Sequence, residues 1–352
     1  MGVWKHLAKR GVFLAVTLIV AMYLVVLIAN AGGRVDEILI AQIRFKTAIE
    51  LANSPAYRNL NATQRAELLN QTIALRIHAR GLDLPFAEKS FTYTIDALTL
   101  NLGQAMFLRS NGGSSSIADI ILERLPITVL LFTTGSVVSA IIGIILGLKM
   151  ARRAMKPFDR GMTVFSISTT VVPAWIFAIL FLMLFAFEVR IFPARGFVDS
   201  PPPKDSGAYA LSVMYHLSLP LITWVLSNFG GWAYTTRNLV LQVMDEDFVM
   251  AARAKGLPER IVQRRYVFRA ASPPIVTSLA LTLIASWTGA IITETVFQWP
   301  GLGLLFIQAV QAFDATIVIG LTAIYAVLLV VTVFILDLVY SLLDPRIRAA
   351  RR

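Results

Sequence analysis

Six long apolar runs, separated by polar stretches, set the pattern of this chain. They cover about Val12 to Ala29, Ile127 to Leu148, Met162 to Phe187, Leu211 to Tyr234, Pro274 to Thr295 and Thr316 to Leu343. Each suffices to cross a hydrocarbon core of about 30 Å as a helix. The pattern therefore predicts an all-α, polytopic membrane protein with six transmembrane helices. Pro173 falls inside the third run, where it removes a backbone donor and predicts a kink. The fourth run carries Pro220, Asn228, Gly230 and Gly231.

Residues 31–118 form the only sizeable polar region. Asn61 with Gln64 three residues on has the form of a capping box. Leu69, Ile73 and Ile77 then repeat at a helical spacing, and Gly81 with Pro85 ends the helix. An earlier helix is predicted over Asp36 to Leu51, broken at Asn53, Ser54 and Pro55. Asn61-Ala62-Thr63 has the pattern of a glycosylation sequon, and the glycine–serine run at Gly112 predicts a flexible joint. The chain divides into 1–30 (N-terminus and first span), 31–118 (a mostly helical insert outside the membrane) and 119–352 (a transmembrane core with a cytoplasmic loop at 245–270). Lys5, Lys9 and Arg10 precede the first run, and Ala29 and Ala31 follow it, so a cleaved signal peptide competes with a retained span. The apolar run exceeds the usual 7–15 residues of a signal peptide, which favours retention.

Composition fits the membrane class. Of 352 residues, 57% are hydrophobic and 15% charged, against about 25% charged in soluble proteins. A formal charge of +11 would suggest nucleic acid for a soluble chain. Here the positive-inside rule accounts for it, with lipid rather than nucleic acid as the neighbour. The 149–160 loop, the 237–269 loop and the C-terminal RIRAARR are rich in Lys and Arg, whereas 297–315 has neither. Both termini are therefore expected in the cytoplasm. Cysteine is absent, and His6, His78 and His216 are scattered, so no metal site or thiol nucleophile is expected. No phosphate-binding G-x-x-x-x-G-K-[ST] loop or G-x-S-x-G elbow occurs. No catalytic residue is assigned, and the chain is not expected to be an enzyme.

One polar stretch among the apolar runs stands out, DFVMAARAKGLPER at Asp247 to Arg260. Phe248, Ala251 and Ala252 lie at i, i+3 and i+4, on one face of a short helix. Gly256 suits the C′ position because it tolerates positive φ. Pro258 suits the start of a second helix, reaching about Arg269. The small residues Ala251, Ala252, Ala254 and Gly256 would let another protein approach closely. Arg253, Lys255 and Arg260 are open to two readings, partner contacts or lipid-headgroup anchors.

This stretch resembles the cytoplasmic coupling loop of ABC-type import permeases, in the form D-[YF]-V-x-x-A-x-A-K-G-L of the dipeptide/oligopeptide/nickel branch. The resemblance, to the first permease subunit of such systems, continues through ETVFQWPGLG at Glu294 to Gly303 and LLDPRIR at Leu342 to Arg348. It reaches back to Asn101 and Glu123. Met250 stands where the general pattern has Glu, and the downstream I-x-L-P is absent. The resemblance implies a type I ABC importer permease fold in a prokaryotic cytoplasmic membrane. It implies an ATPase-coupling surface at Asp247, Phe248, Ala251, Ala252, Ala254, Lys255, Gly256 and Leu257. It implies four partners: a second homologous permease, two ABC ATPase subunits and an extracytoplasmic substrate-binding protein. ATP and Mg would sit on the ATPase subunits, with no cofactor in this chain. The substrate class would be di- or oligopeptides, with nickel complexes or oligosaccharides as alternatives.

Candidates for the translocation path are Ser168, Thr169, Asn228, Ser286, Thr288 and Glu294. Ser and Thr also serve helix contacts in membranes. Glu294 reads either as a functional acid in a span or as a structural carboxylate at the bundle edge. A rival of another class, an ion-coupled secondary transporter, would need carboxylates near the midplane; only Glu294 approaches that. A second rival is a signalling protein that uses 31–118 as a sensor.

Overall fold

The structure is a computed structural model and describes residues 3–31 and 34–343. The described residues are mostly helical, and their one extended pairing is an isolated antiparallel bridge between Gln104 and Ser116. In chain order the helices are α1 (Val3–Ala31), α2 (Arg34–Ala52), α3 (Pro55–Arg58), α4 (Ala62–Ala79), α5 (Phe86–Leu98), α6 (Ile117–Arg152), α7 (Pro157–Val171) and α8 (Ala174–Phe181). A π-helical segment, Leu182–Glu188, extends α8. There follow α9 (Ser206–Met244), α10 (Asp247–Ala254), α11 (Glu259–Ile261), α12 (Phe268–Ala285), α13 (Ile291–Phe297), α14 (Leu302–Gln311) and α15 (Ala315–Leu343). The charged end at Asp344 and the C-terminal RIRAARR lie outside the described residues.

Among the described residues, four helical stretches are long and apolar enough to cross a membrane: Ile117–Arg152, Ser206–Met244, Glu259–Ala285 and Thr316–Ile335. A fifth span results if α7 and α8 with its π-helical extension count as one, bent by 92°. Two expected spans are thus not single helices. The third breaks outright at Pro173, because the residue before a proline is driven out of the α region; Val172 is extended at ψ 120°. The fifth was expected over 274–295. It stops at Ala285, makes a 3₁₀ turn at Ser286–Thr288, passes Gly289 at φ +70° and restarts as α13. The second helix of the 245–270 loop does not end at Arg269. It runs through π-helical Val262–Val267 into α12. Within α12, Pro273 and Pro274 each lack an N–H to give, and the Ser272 hydroxyl donates to the Arg269 carbonyl that Pro273 leaves free (3.1 Å).

The chain forms two compact units. One is built on Ala8–Glu123 with Phe306–Val331, so the insert shares a unit with most of α1 and α15. Here α2 packs on α4, burying Leu39, Ile43 and Leu82. Met22, Ala97 and Ala323 form a second cluster. The buried Lys89 pairs with Asp36, as an ammonium withdrawn from water must. Asn61 and Gln64 make the expected capping box, and Gly81 turns the chain at φ +62°. The glycine–serine run is not a loose joint. Ser110 N–H bonds the Ser114 carbonyl, Gly113 N–H returns to Ser110, and the Ser114 hydroxyl donates to Asp119 (2.6 Å). Asp314 is fully buried, accepts from the Met106 and Phe107 amides (2.8 and 2.9 Å) and so ties residues 99–116 to the start of α15.

An exposed pair gives this unit a pH signature. His78 Nδ1 lies 2.7 Å from Asp83 Oδ2. The hydrogen bond to the carboxylate raises the His78 pKa above 6.5, and the same bond lowers Asp83 below 3.8. The His78 contribution is complete below pH 6.5 and fades as pH rises through the raised value. That of Asp83 is complete above 3.8 and fades as pH falls through the lowered one. An NMR titration should place His78 above 6.5 in the wild type and return it to that value in Asp83→Asn.

The other unit is built on Arg124–Leu305. α9 packs on α7 and α8, and α6 approaches it closely on another side. Gly135, Ser139, Gly143 and Gly147 repeat every four residues along α6, and small residues at that spacing let helices approach closely in lipid. A Cβ on Gly143 would lie 2.7 Å from the Phe229 carbonyl, and one on Gly147 2.5 Å from that of Ala233. On the α7 side, Gly230 leaves room for Ser166 and Thr169. Leu131, Phe132, Ala178, Leu217, Leu219, Phe297 and Trp299 fill one core of this unit.

Candidate functional site

The loop after α9 holds a short helix against the body of its own unit. α10 ends in a Schellman turn. Gly256 N–H bonds the Arg253 carbonyl (2.9 Å) and Leu257 N–H the Ala252 carbonyl (3.4 Å). Gly256 sits at φ +73° as C′, with open space where a Cβ would be. Arg253 reaches across the turn to Glu259 (3.2 Å), so one of the cations left open between partner and lipid closes an ion pair within the chain.

The face expected to point outward is split. Phe248, Ala251, Ala254, Lys255 and Asp247 are exposed, as is Met250, and Leu257 is half-buried. Ala252 is not with them. It is 3% exposed and packs with Val249 into a core of Ala151, Val240, Val262, Val267, Ala271 and Ile275. The reason is helical geometry: Val249 and Ala252 form their own i, i+3 pair, one residue round from Phe248 and Ala251. α10 is thus a helix seated on an apolar base, presenting Phe248, Met250, Ala251 and Ala254 to the outside.

The expected path residues do not form one site. Ser168 is exposed. Thr169 is buried, donates to the Ser166 carbonyl (3.1 Å) and packs at Gly230. The Thr288 side chain lies outside the described residues. Glu294 is fully buried and engaged. It accepts from the Thr128 hydroxyl (2.8 Å) and from the Leu304 amide (3.0 Å). Thr128 in turn accepts from the Leu302 amide (2.7 Å). These are orphan donors at the start of α14, where a carboxylate is well placed. A Cβ on Gly301 would meet Thr128 Oγ1 at 2.3 Å and Glu294 Oε1 at 2.5 Å, so the ETVFQWPGLG glycines make room for the carboxylate. The Trp299 indole N–H closes the knot on the Ile127 carbonyl (3.0 Å).

Asn228 and Ser286 both line a half-open pocket, with Phe132, Ser136, Trp224, Trp232, Thr282, Ala285 and Gly289. Glu294 is not among its lining residues. The aromatic walls escaped sequence reasoning, since Trp224 and Trp232 read as ordinary span residues, although their spacing of eight on one helix marks a shared face. Also missed was Asp159, which pairs with Arg237 from 78 residues away (Nε–Oδ1 2.6 Å). The fourfold spacing of Gly135, Ser139, Gly143 and Gly147 was the readable signal for the close approach of α6 to α9.

The family described as binding-protein-dependent transport system inner membrane component matches residues 139–349. The chain is 30% identical over 231 residues to the oligopeptide transport system permease protein AppB of Bacillus subtilis, covering 66% of this chain and 72% of that protein. It is 27% identical over 274 residues to the dipeptide transport system permease protein DppB of Lactococcus lactis, covering 77% and 84%. It is 29% identical over 284 residues to the inner membrane ABC transporter permease protein YejB of Escherichia coli, covering 79% and 76%. With its membrane-length apolar helices and a matched region of more than half its length, the chain is a multi-pass protein of the cytoplasmic membrane and belongs to the family of binding-protein-dependent transport system inner membrane components.

Proposed function

We propose that this chain is a membrane-spanning subunit of an ATP-driven importer for di- and oligopeptides. The observation that carries this reading is α10, a helix anchored from below by Val249 and Ala252 that offers an exposed apolar face beside a glycine turn. Such a face fits a cleft on an ATPase subunit, whose closure would move α10 and the α9 and α12 ends packed on it. The chain carries no phosphate-binding loop of its own, so ATP and Mg belong to two ATPase partners. A second, homologous permease completes the pathway, and an extracytoplasmic binding protein delivers substrate. The names of the relatives support peptides over nickel complexes or oligosaccharides. The test is ATP-dependent uptake into vesicles holding the complete complex, with binding protein inside or outside. Peptide uptake driven from the binding-protein side is the expected result; uptake driven by an ion gradient without ATP would overturn the reading.

The same proposal includes six spans, α1 being the sixth beside the four long helices and the bent α7–α8 pair, with both termini in the cytoplasm. The chain has no cysteine, so single cysteines report cleanly. Ser54→Cys and Ser206→Cys should react with an impermeant thiol reagent on intact cells, and Ala154→Cys only after permeabilisation. Labelling at position 154 in intact cells would sink this topology.

A further inference from the structure

We infer that α2 is a membrane-surface helix that lays Phe45 and Ile49, beside Phe313, into the lipid leaflet next to the insert; this rests on the reading of α1 as a span. α2 has apolar residues on two sides. Leu39 and Ile43 pack with Leu82 on the α4 side, with Ile77 of α4 against them. Ala41, Phe45, Ala48 and Ile49 recur at i, i+4, i+7 and i+8 on the opposite side. All four are exposed, Phe45 by 57% and Ile49 by 47%. A helix that is apolar on both sides calls for cover on both, and α4 covers one.

What covers the other side follows from where α2 is tied. It begins at Arg34, close behind the end of α1 at Ala31. About 12 Å further along the helix, the Gln42 side-chain amide donates to the Phe313 carbonyl. Phe313 directly precedes the membrane-length stretch Thr316–Ile335 of α15. Two points along α2 are thus fixed at the ends of two spans, so the helix runs along the membrane surface rather than away from it. Phe45 and Ile49 follow Gln42 at i+3 and i+7 and share its side, whereas the exposed Arg44 projects the other way, into water. Phe313 extends the same face. Its φ of +54° lies in the left-handed region that a residue with a Cβ rarely occupies. Its N–H bonds the Val310 carbonyl (3.1 Å) and its own carbonyl accepts from Gln42. The backbone is held at both groups while the residue is 81% exposed. A ring held out beside the end of a span meets the headgroup and acyl boundary, where burying apolar surface is favourable. A protein could also cover apolar side chains, but the tie of this face to the span ends selects lipid.

The test places the photoreactive residue benzoyl-phenylalanine singly at Phe45, Phe313, Arg44 or Val20. The complete transporter is irradiated in native membranes with its binding protein present, and the adducts are identified by mass spectrometry. Positions 45 and 313 should give phospholipid adducts, and position 44 none. Val20 lies on α1 and is 52% exposed, so a lipid adduct there reports α1 as a span independently of α2. Adducts of positions 45 and 313 with the binding protein or the second permease in place of lipid, beside a lipid adduct at position 20, would overturn the surface helix and leave the span standing. Equal lipid adducts at positions 44 and 45 would overturn the facing of α2. Absence of a lipid adduct at position 20 would overturn the span reading and the surface helix with it.

Discussion

Ala252→Asp is expected to abolish ATP-coupled transport by unseating α10 from its own chain, whereas Ala251→Asp, one residue away, is expected to leave the chain folded and weaken only its grip on the ATPase. The contrast follows from burial. Ala252 is 3% exposed in a cluster of aliphatic side chains that includes Val240 of α9 and Val262, Ala271 and Ile275 of the α11–α12 stretch. A carboxylate there would be set among those aliphatic side chains, and burying an unpaired ion costs several kcal/mol. Ala251 is exposed, so a charge at 251 remains in water until a partner covers it. Gly256→Val falls between the two. A side chain there meets nothing within 4 Å, but the backbone is at φ +73°, which costs about 1–2 kcal/mol for a residue with a Cβ. The measurements are limited proteolysis of the 245–270 loop, pull-down of the ATPase subunits, and ATPase stimulation by loaded binding protein. Ala252→Asp should fail in all three, and Ala251→Asp in the last two alone. Equal protease resistance in wild type and Ala252→Asp would show that Ala252 does not anchor the helix.

That pair of residues also shows what the sequence could and could not reveal. The helix and its end were legible, because Gly256 and the alanine-rich turn before it determine a Schellman stop locally. Which face turns inward was not. In so short a helix, Phe248 with Ala251 and Val249 with Ala252 are equally good apolar pairs at helical spacing, and the choice belongs to residues as distant as Ala151 and Ile275. Span positions were legible from hydropathy, but helix lengths were not. α6 and α9 continue well past their apolar runs into charged residues that hydropathy leaves out. The break at Pro173 was visible because proline constrains its predecessor. The break at Gly289 was hidden, since glycine is common within membrane helices and its need here arises from Thr128 and Glu294, in contact only once folded. Glu294 read as either a functional acid or a structural carboxylate at the bundle edge, with the structural reading favoured by the neighbouring Gln298, Trp299 and Pro300, and its contacts to Thr128 and Leu304 tie it to the turn before α14.

Asp159→Ala should destabilise the chain by about 3–5 kcal/mol, the usual result of orphaning one member of a buried ion pair. Asp159 is 1% exposed and Arg237 16%. Both carboxylate oxygens are committed: Oδ1 to Arg237 Nε (2.6 Å), and Oδ2 to Arg237 Nη2 (2.7 Å) and the Met155 amide (2.9 Å). This fork-to-fork geometry is what arginine provides and lysine does not, so Arg237→Lys should also weaken the chain, by less. The Met155 bond adds a second role. Met155 is held at φ +63° without being a glycine, and the Asp159 carboxylate fixes that turn between α6 and α7. Removing both partners in Asp159→Ala/Arg237→Ala eliminates the stranded guanidinium, so the double variant should be less destabilised than the sum of the singles. Arg237 also lies one turn before Val240, part of the base on which α10 rests. Loss of the pair should therefore lower binding-protein-stimulated ATPase activity at temperatures where the complex remains assembled. Thermal unfolding of the wild-type, Asp159→Ala, Arg237→Ala, Arg237→Lys and double-variant complexes, beside their stimulated ATPase rates, measures both effects. Strict additivity of the two single substitutions would refute the pairing as the source of the stability, and full stimulation in assembled Asp159→Ala would refute its link to α10.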